Sequence, residues 1–249
     1  PYHDRNLESF HGKPIVDLGA SMRAWNLATV DFLLGDRLKS ETRASLRKEV
    51  SRRVLDVYRQ QVLGTFDGSR EWWLRVDHNW NAVCHAGVIG SALALLPARE
   101  DRAWFLASME RYIPNYLSGF TPDGYCSEGI GYWNYGFGHY ALMAEAAGEA
   151  TNWKLDLFAP EIVKNILLFP KRLEILPGIY PSFSDNSPSA RPSPWITQLA
   201  GNRVSGISES GGPIVVSGLA SHPLAAMLYE TMALAFSGSG RTGEVSSPA

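Results

Sequence analysis

Cysteine is scarce in this chain: Cys84 and Cys126 are the only two among 249 residues, too few for a disulfide framework. No apolar run approaches the roughly 20 residues that a membrane-spanning helix requires, so no membrane span is expected. A charge of one sign is missing as well. With 23 basic and 25 acidic side chains, nothing forecasts the basic track of a nucleic-acid binder. No CxxC or HxxxH spacing occurs. Cys84, His85 and Cys126 could converge, but two core thiols are the expectation, with no metal and no cofactor. The start "PYHDRNLESF" has neither a charged nor an apolar leader pattern and no initiating methionine. The chain reads as a mature form or fragment from which a signal peptide could have been removed, which leaves a periplasmic or secreted location as the expectation.

Aromatic residues are plentiful, with eight tryptophans, ten tyrosines and ten phenylalanines. Such side chains suit packing and stacking on sugars alike. Apolar residues recur at spacings of three and four from "GASMRAWNLATVDFLLG" through "SETRASLRKEVSRRVLDVYRQQVLG", the sign of amphipathic helices, with Ser40 or Thr42 as N-cap. The pattern returns at about 81 to 96, 100 to 117, 131 to 148 and 161 to 170. Turn-rich stretches separate these segments. Past residue 176, "GIYPSFSD" and "GGPIVVSG" read as short extended segments before one more helix at about 221 to 236. Helix, short turn, helix is the grammar of stacked αα-hairpins. The predicted fold is therefore all-α, an incomplete (α/α) toroid forming one domain over 1–236, followed by a mobile tail at 237–249.

Two polar clusters each lead an otherwise apolar helix. In "RVDHNWNAVCHAG", a helix beginning near Asn79 places Asn81, Cys84 and His85 on one face and leaves His78 and Asn79 at its mouth. An amide there adds donors to backbone N–H groups that already favour anions. In "GYWNYGFGHY", about 100° per residue puts Tyr132, Tyr135 and His139 within a ~60° sector. Glu128, one turn earlier, belongs to a glycine-flanked loop. Each residue also has a packing role open to it: Asp77 and Asn79 as caps, His85 as a core histidine, the tyrosine stripe as buried hydrogen-bonded structure.

"NWNAVCHAGVIGSALAL", then "PDGYCSEGIGYWNYGFGHYALM", then "YPSFSDN" together resemble the toroid domain of heparinase II/III-like polysaccharide lyases over roughly residues 15 to 190. The resemblance implies a toroid that is followed in relatives by a β-sandwich domain, here absent. It also implies β-elimination on an acidic, uronate-containing polysaccharide. An asparagine neutralises the uronate carboxylate, and a tyrosine, with or without a histidine, removes the C5 proton and protonates the leaving oxygen. The family's Asn-Asn-His type motif falls on His78, Asn79 and Trp80, which makes Asn79 the neutralising amide. Trp80 stands where a helper histidine is often found, leaving that role to His78, His85 or His139. The tyrosine maps to Tyr135 first and Tyr132 second. The candidate catalytic residues are thus Asn79, Tyr135, Tyr132 and His139. Those expected to bind substrate are His78, Trp80, Asn81, His85, Glu128 and Trp133.

Two other readings stay open. A toroid glycoside hydrolase would act through carboxylates, with Glu128, Asp123 and Asp185 available. A non-catalytic glycan-binding domain would use Trp72, Trp73, Trp80 and Trp133 as stacking surfaces. The basic residues Arg75, Arg111, Arg191 and Arg203 do not single out a sulfated polymer.

Overall fold

A computed structural model describes residues 14–66 and 71–203, with side chains through residue 198. Helices dominate, and no strand forms among the described residues. Contacts divide the chain into two compact units, Pro1–Pro192 and Ser193–Ala249. The expected segment "GGPIVVSG", the helix at about 221 to 236 and the tail at 237–249 lie outside the described residues.

The first unit begins with α1 (Leu18–Leu34), whose N-cap Asp17 accepts a hydrogen bond from the Ala20 amide at 2.6 Å. The side chain thereby satisfies one of the donors that a helix start leaves unpaired. Next come α2 (Ser40–Val50), a π-helical turn (Ser51–Leu55) and α3 (Asp56–Leu63), one continuous rod. Its N-cap is Lys39 rather than Ser40 or Thr42, and Ser40 is already helical. After a short 3₁₀ turn (Trp72–Leu74) come α4 (Asn79–Leu95) and α5 (Arg99–Ser118). A second rod joins α6 (Gly129–Tyr132), a π-helical turn (Trp133–Phe137) and α7 (Gly138–Ala150), followed by α8 (Glu161–Leu173). The segment "GIYPSFSD" is irregular and holds only an isolated bridge between Leu176 and Ile179. In the second unit α9 (Pro194–Arg203) begins on a proline. The turn-rich composition hid this helix, although proline suits a first helical position.

The core forms around α4, which packs on α1, α5 and α7. Its residues from Asn81 through Ala92 are buried without interruption, as expected for a helix that is apolar all round. Small residues let α1 approach it closely. A Cβ on Gly87 would lie 2.3 Å from the Ser21 carbonyl oxygen, and one on Gly90 would lie 2.2 Å from the Trp25 ring. Gly87→Ala should therefore lower stability by about 1–3 kcal/mol or more, because α1 backbone must shift. Thermal melts check this: an unchanged midpoint would mean that the two helices do not meet there.

An ion-paired knot fixes the far end of α1. Asp31, with its side chain 1% exposed, accepts from Arg43 at 2.8 Å and from Arg47 at 2.7 Å. The Arg43 hydrogen bond, aided by Arg47, outweighs burial and holds the Asp31 carboxyl below its ordinary range.

Candidate functional site

The start of α4 faces the start of α6 across a cavity of about 100 Å³. It is lined by Asp77, His78, Asn79, Tyr116, Gly119, Phe120, Cys126, Ser127, Glu128 and Tyr132. Asn79 is the first residue of α4 rather than its cap. The N-cap is His78, whose side chain makes no capping bond. Freed from capping, the Asn79 amide reaches across the cavity and donates to both carboxylate oxygens of Glu128, at 3.3 and 3.4 Å.

Two devices hold Glu128 and Tyr132 in place. Asn186 accepts a hydrogen bond from the Gly131 amide at 2.8 Å, a tertiary cap on the short helix α6. The "DGYCSEGIGYWNYG" and "YPSFSDN" motifs meet through this bond. The second device is Gly136 in the π-helical turn. A Cβ there would come within 3.0 Å of the Tyr116 hydroxyl and 3.1 Å of the Asn79 Cβ, so glycine allows the two helix starts to close together. Asn186→Ala should destabilise the fold by about 1–2 kcal/mol, because the Gly131 amide loses its acceptor. A drop of roughly 2–8 °C in Tm would register it; an unchanged Tm would show that the bond contributes nothing.

The structure sorts the expected site residues into three places. His78, Asn79, Glu128 and Tyr132 share the cavity. Trp80 lies beside it, its ring 4.9 Å from that of Trp72, while the His78 ring is 6.2 Å from Trp72. The others belong to packing. Asn81 is fully buried, and its amide nitrogen donates to the carbonyls of Trp73, Leu74 and Tyr112. It ties the 3₁₀ turn to α4 and α5. His85 is also fully buried, among Tyr58, Trp73 and Tyr112. Its Nδ1 donates to the Asn81 carbonyl at 2.8 Å. Trp133 is 0% exposed and donates its indole N–H to Ile166 of α8 at 2.9 Å. With no open surface, Asn81, His85 and Trp133 cannot touch a polymer in this arrangement.

Tyr135 and His139 form a pair of their own, with ring centroids 5.1 Å apart. The Tyr135 hydroxyl donates to the Met22 sulfur of α1 at 3.3 Å. Burial raises its pKa above the ordinary tyrosine value. His139 is buried, its Nδ1 donates to the Tyr135 carbonyl at 2.6 Å, and burial lowers its pKa to about 4. At neutral pH this histidine carries no charge and supplies no cation to favour a phenolate. Tyr135 and His139 are not lining residues of the Asn79 cavity.

Among the hydrolase candidates, Glu128 lines the cavity, whereas Asp123 and Asp185 are exposed elsewhere. Asp123 accepts from Thr121 within its turn, which lowers its pKa. Both cysteines are free. Burial pushes the Cys84 thiol up, and the Cys126 thiol to about 11, so neither is a thiolate at neutral pH. Among the described residues, no group of three or more His, Cys, Asp or Glu side chains could hold a metal ion.

Sequence reasoning missed Tyr116 and assigned Asp77 only to capping. Tyr116 sits on α5 at the cavity wall, with burial and then nearby Cys126, Tyr140 and Glu128 raising its pKa. Its spacing of four from Tyr112 marks a helix face, but nothing local distinguishes it from a core tyrosine. The chain matches no protein-family model and no curated protein.

Proposed function

We propose that the cavity between α4 and α6 is the cleavage site of a polysaccharide lyase, acting by β-elimination on a uronate-containing polymer. The observation that carries this reading is the Asn79 amide donating to both oxygens of a carboxylate, that of Glu128, beside His78 and Tyr132. Glu128 shows the geometry with which the same amide can receive a uronate carboxylate. The segments that begin at Asn79 and at Asp123, on which the resemblance to heparinase II/III-like lyases rests, both contribute lining residues. A procession of helices with short joins is what an incomplete (α/α) toroid requires.

In the proposed reaction the substrate carboxylate displaces Glu128 from Asn79. Neutralised there, it can accept the charge that develops when the C5 proton leaves, and donors aimed at developing charge are among the largest catalytic contributions. The Tyr132 oxygen takes the C5 proton. The electron pair forms the C4=C5 double bond as the C4–O bond breaks, and the tyrosine proton passes to the departing glycosidic oxygen. The products are an unsaturated uronate and a new free hydroxyl. His78, at the helix mouth, is placed to orient the carboxylate or the phenol. A β-sandwich domain like that of relatives would complete the cleft, and a periplasmic or secreted location would bring the polymer to it.

A hydrolase reading has one observation in its favour: Asp77 and Glu128 line the same cavity. Incubation with uronate polymers separates the readings, with ultraviolet absorbance and reducing ends followed together. Elimination produces both signals. Reducing ends without absorbance would replace the lyase reading by hydrolysis, and glycan binding without either signal would leave a binding domain.

A further inference from the structure

The cavity that holds the Asn79–Glu128 contact is about 100 Å³, smaller than the ~150 Å³ cavity that takes up a benzene molecule. It can seat a carboxylate, but the sugar ring bearing that carboxylate must lie outside, on the rim. At His78 the lining adjoins an aromatic pair, Trp72 and Trp80. His78 lines the cavity and also lies 6.2 Å, centroid to centroid, from the Trp72 ring. Trp72 is 46% exposed and is backed by Trp80 at 4.9 Å. By contrast Trp25, Trp73 and Trp133 are all buried.

An indole packed against the tilted rings of Trp80 and His78 and still nearly half exposed offers a supported apolar surface. The C–H face of a pyranose fits such a face, because both are flat, weakly polar and rimmed by hydrogen-bonding groups. Charge narrows the ligand further. The lining residues include two carboxylates, Asp77 and Glu128, and no lysine or arginine. The guanidinium groups of Arg75 and Arg111 rest over the Tyr112 ring, at 5.8 and 5.3 Å, and neither residue lines the cavity. One carboxylate can be received by the Asn79 amide, but a sulfate brought to the cavity beside it would meet Asp77 and Glu128, with no lysine or arginine among the lining residues to offset the like charge.

Resting on the lyase reading, we propose that the site takes an unsulfated uronate chain, with the carboxylate of one sugar on Asn79 and the face of a neighbouring sugar stacked on Trp72. The test is calorimetric titration of the full 249-residue chain with tetrasaccharides of hyaluronan, oligomannuronate and heparin. Wild type, W72A and W72F are compared. At least one unsulfated tetrasaccharide should bind more tightly than heparin. W72A should weaken that binding about tenfold, and W72F should restore most of it. Trp72 is surface-exposed, and melting curves of both variants verify that they fold.

Equal affinity of W72A and wild type overturns the stacking platform. Tighter binding of the heparin tetrasaccharide overturns the unsulfated assignment, and absence of binding by all three overturns both. The lyase reading fails in a different way. Trp72-dependent binding with no ultraviolet-absorbing product leaves the platform standing and removes the elimination chemistry.

Discussion

Tyr132→Phe should lower the rate of uronate elimination by about 10²–10⁴, the usual contribution of a placed proton-transfer group. The substitution removes one hydroxyl from a half-buried side chain at the cavity wall, so the melting temperature should hardly move. The loss should fall on kcat more than on KM. Asn79→Ala should cost about 10²–10³ for want of the neutralising donor. Tyr135→Phe is the decisive comparison. Its hydroxyl contacts Met22 rather than the Asn79 cavity, and its activity should stay within about tenfold of wild type, a smaller loss than that of a proton-transfer group. The reverse order, with Tyr135→Phe inactive and Tyr132→Phe active, would refute the assignment. Steady-state kinetics on the best uronate polymer decide the matter.

Acidification should lower the stability of this protein steeply between about pH 6.5 and pH 4, before most carboxylates titrate. Burial lowers both His85 and His139 to a pKa of about 4, whereas an unfolded histidine titrates near ~6.5. Above pH 6.5 both residues are neutral in either state and the stability is fully present. Below it the unfolded chain binds two protons that the folded chain refuses. Stability should then fall by up to about 2.7 kcal/mol per pH unit, against a total of roughly 5–15 kcal/mol for a typical protein. Around His85 stand the rings of Tyr58, Trp73 and Tyr112. Its Nε2 meets no hydrogen-bond partner among the described residues. A proton there would make a buried cation without an acceptor.

Urea melts from pH 7.5 to pH 4.5 measure the slope. His85→Gln keeps a donor for the Asn81 carbonyl while removing one titration, and should halve the slope. A stability that stays flat from pH 6.5 to pH 5 would show that the two histidines are not buried as neutral groups. Below pH 4 the loss should continue, as Asp31 takes up a proton and its bonds to Arg43 and Arg47 weaken.

The same burial that drives this titration explains which parts of the site were legible in the chain. The opening "RVDHNWNAVCHAG" announced a polar helix start, and Asn79 and His78 do stand at the mouth of α4. Three and seven residues on from His78, at Asn81 and His85, the same polar pattern serves the core, because α4 packs on α1, α5 and α7. Local sequence cannot distinguish the two cases, since an amide buried in the core and an amide lining a cavity occupy the same helical spacing. Trp133 shows the same limit: its indole N–H finds a carbonyl on α8, 33 residues away.

The stripe of Tyr132, Tyr135 and His139 failed for a geometric reason. Its ~60° sector assumed an unbroken α-helix at about 100° per residue. Trp133–Phe137 instead form a π-helical turn, where i→i+5 bonding fits an extra residue into the turn and alters the register of all that follows. Tyr132 precedes that turn and stays with Asn79, whereas Tyr135 and His139 are carried toward Met22 and the interior.

Most helices of the first unit are legible in the sequence alone, because the spacing of apolar side chains along the chain is a local property that one segment reports about itself. The sequence also marked both polar helix starts that meet at the cavity, through residue types that are costly to leave without partners. It took the tertiary structure to show that Glu128 answers Asn79 across 49 residues, that Asn186 caps α6 across 55, and that Tyr132 rather than Tyr135 lines the Asn79 cavity. Those outcomes depend on which helices lie side by side and on a single extra residue in one turn, and neither leaves a periodic trace in the sequence.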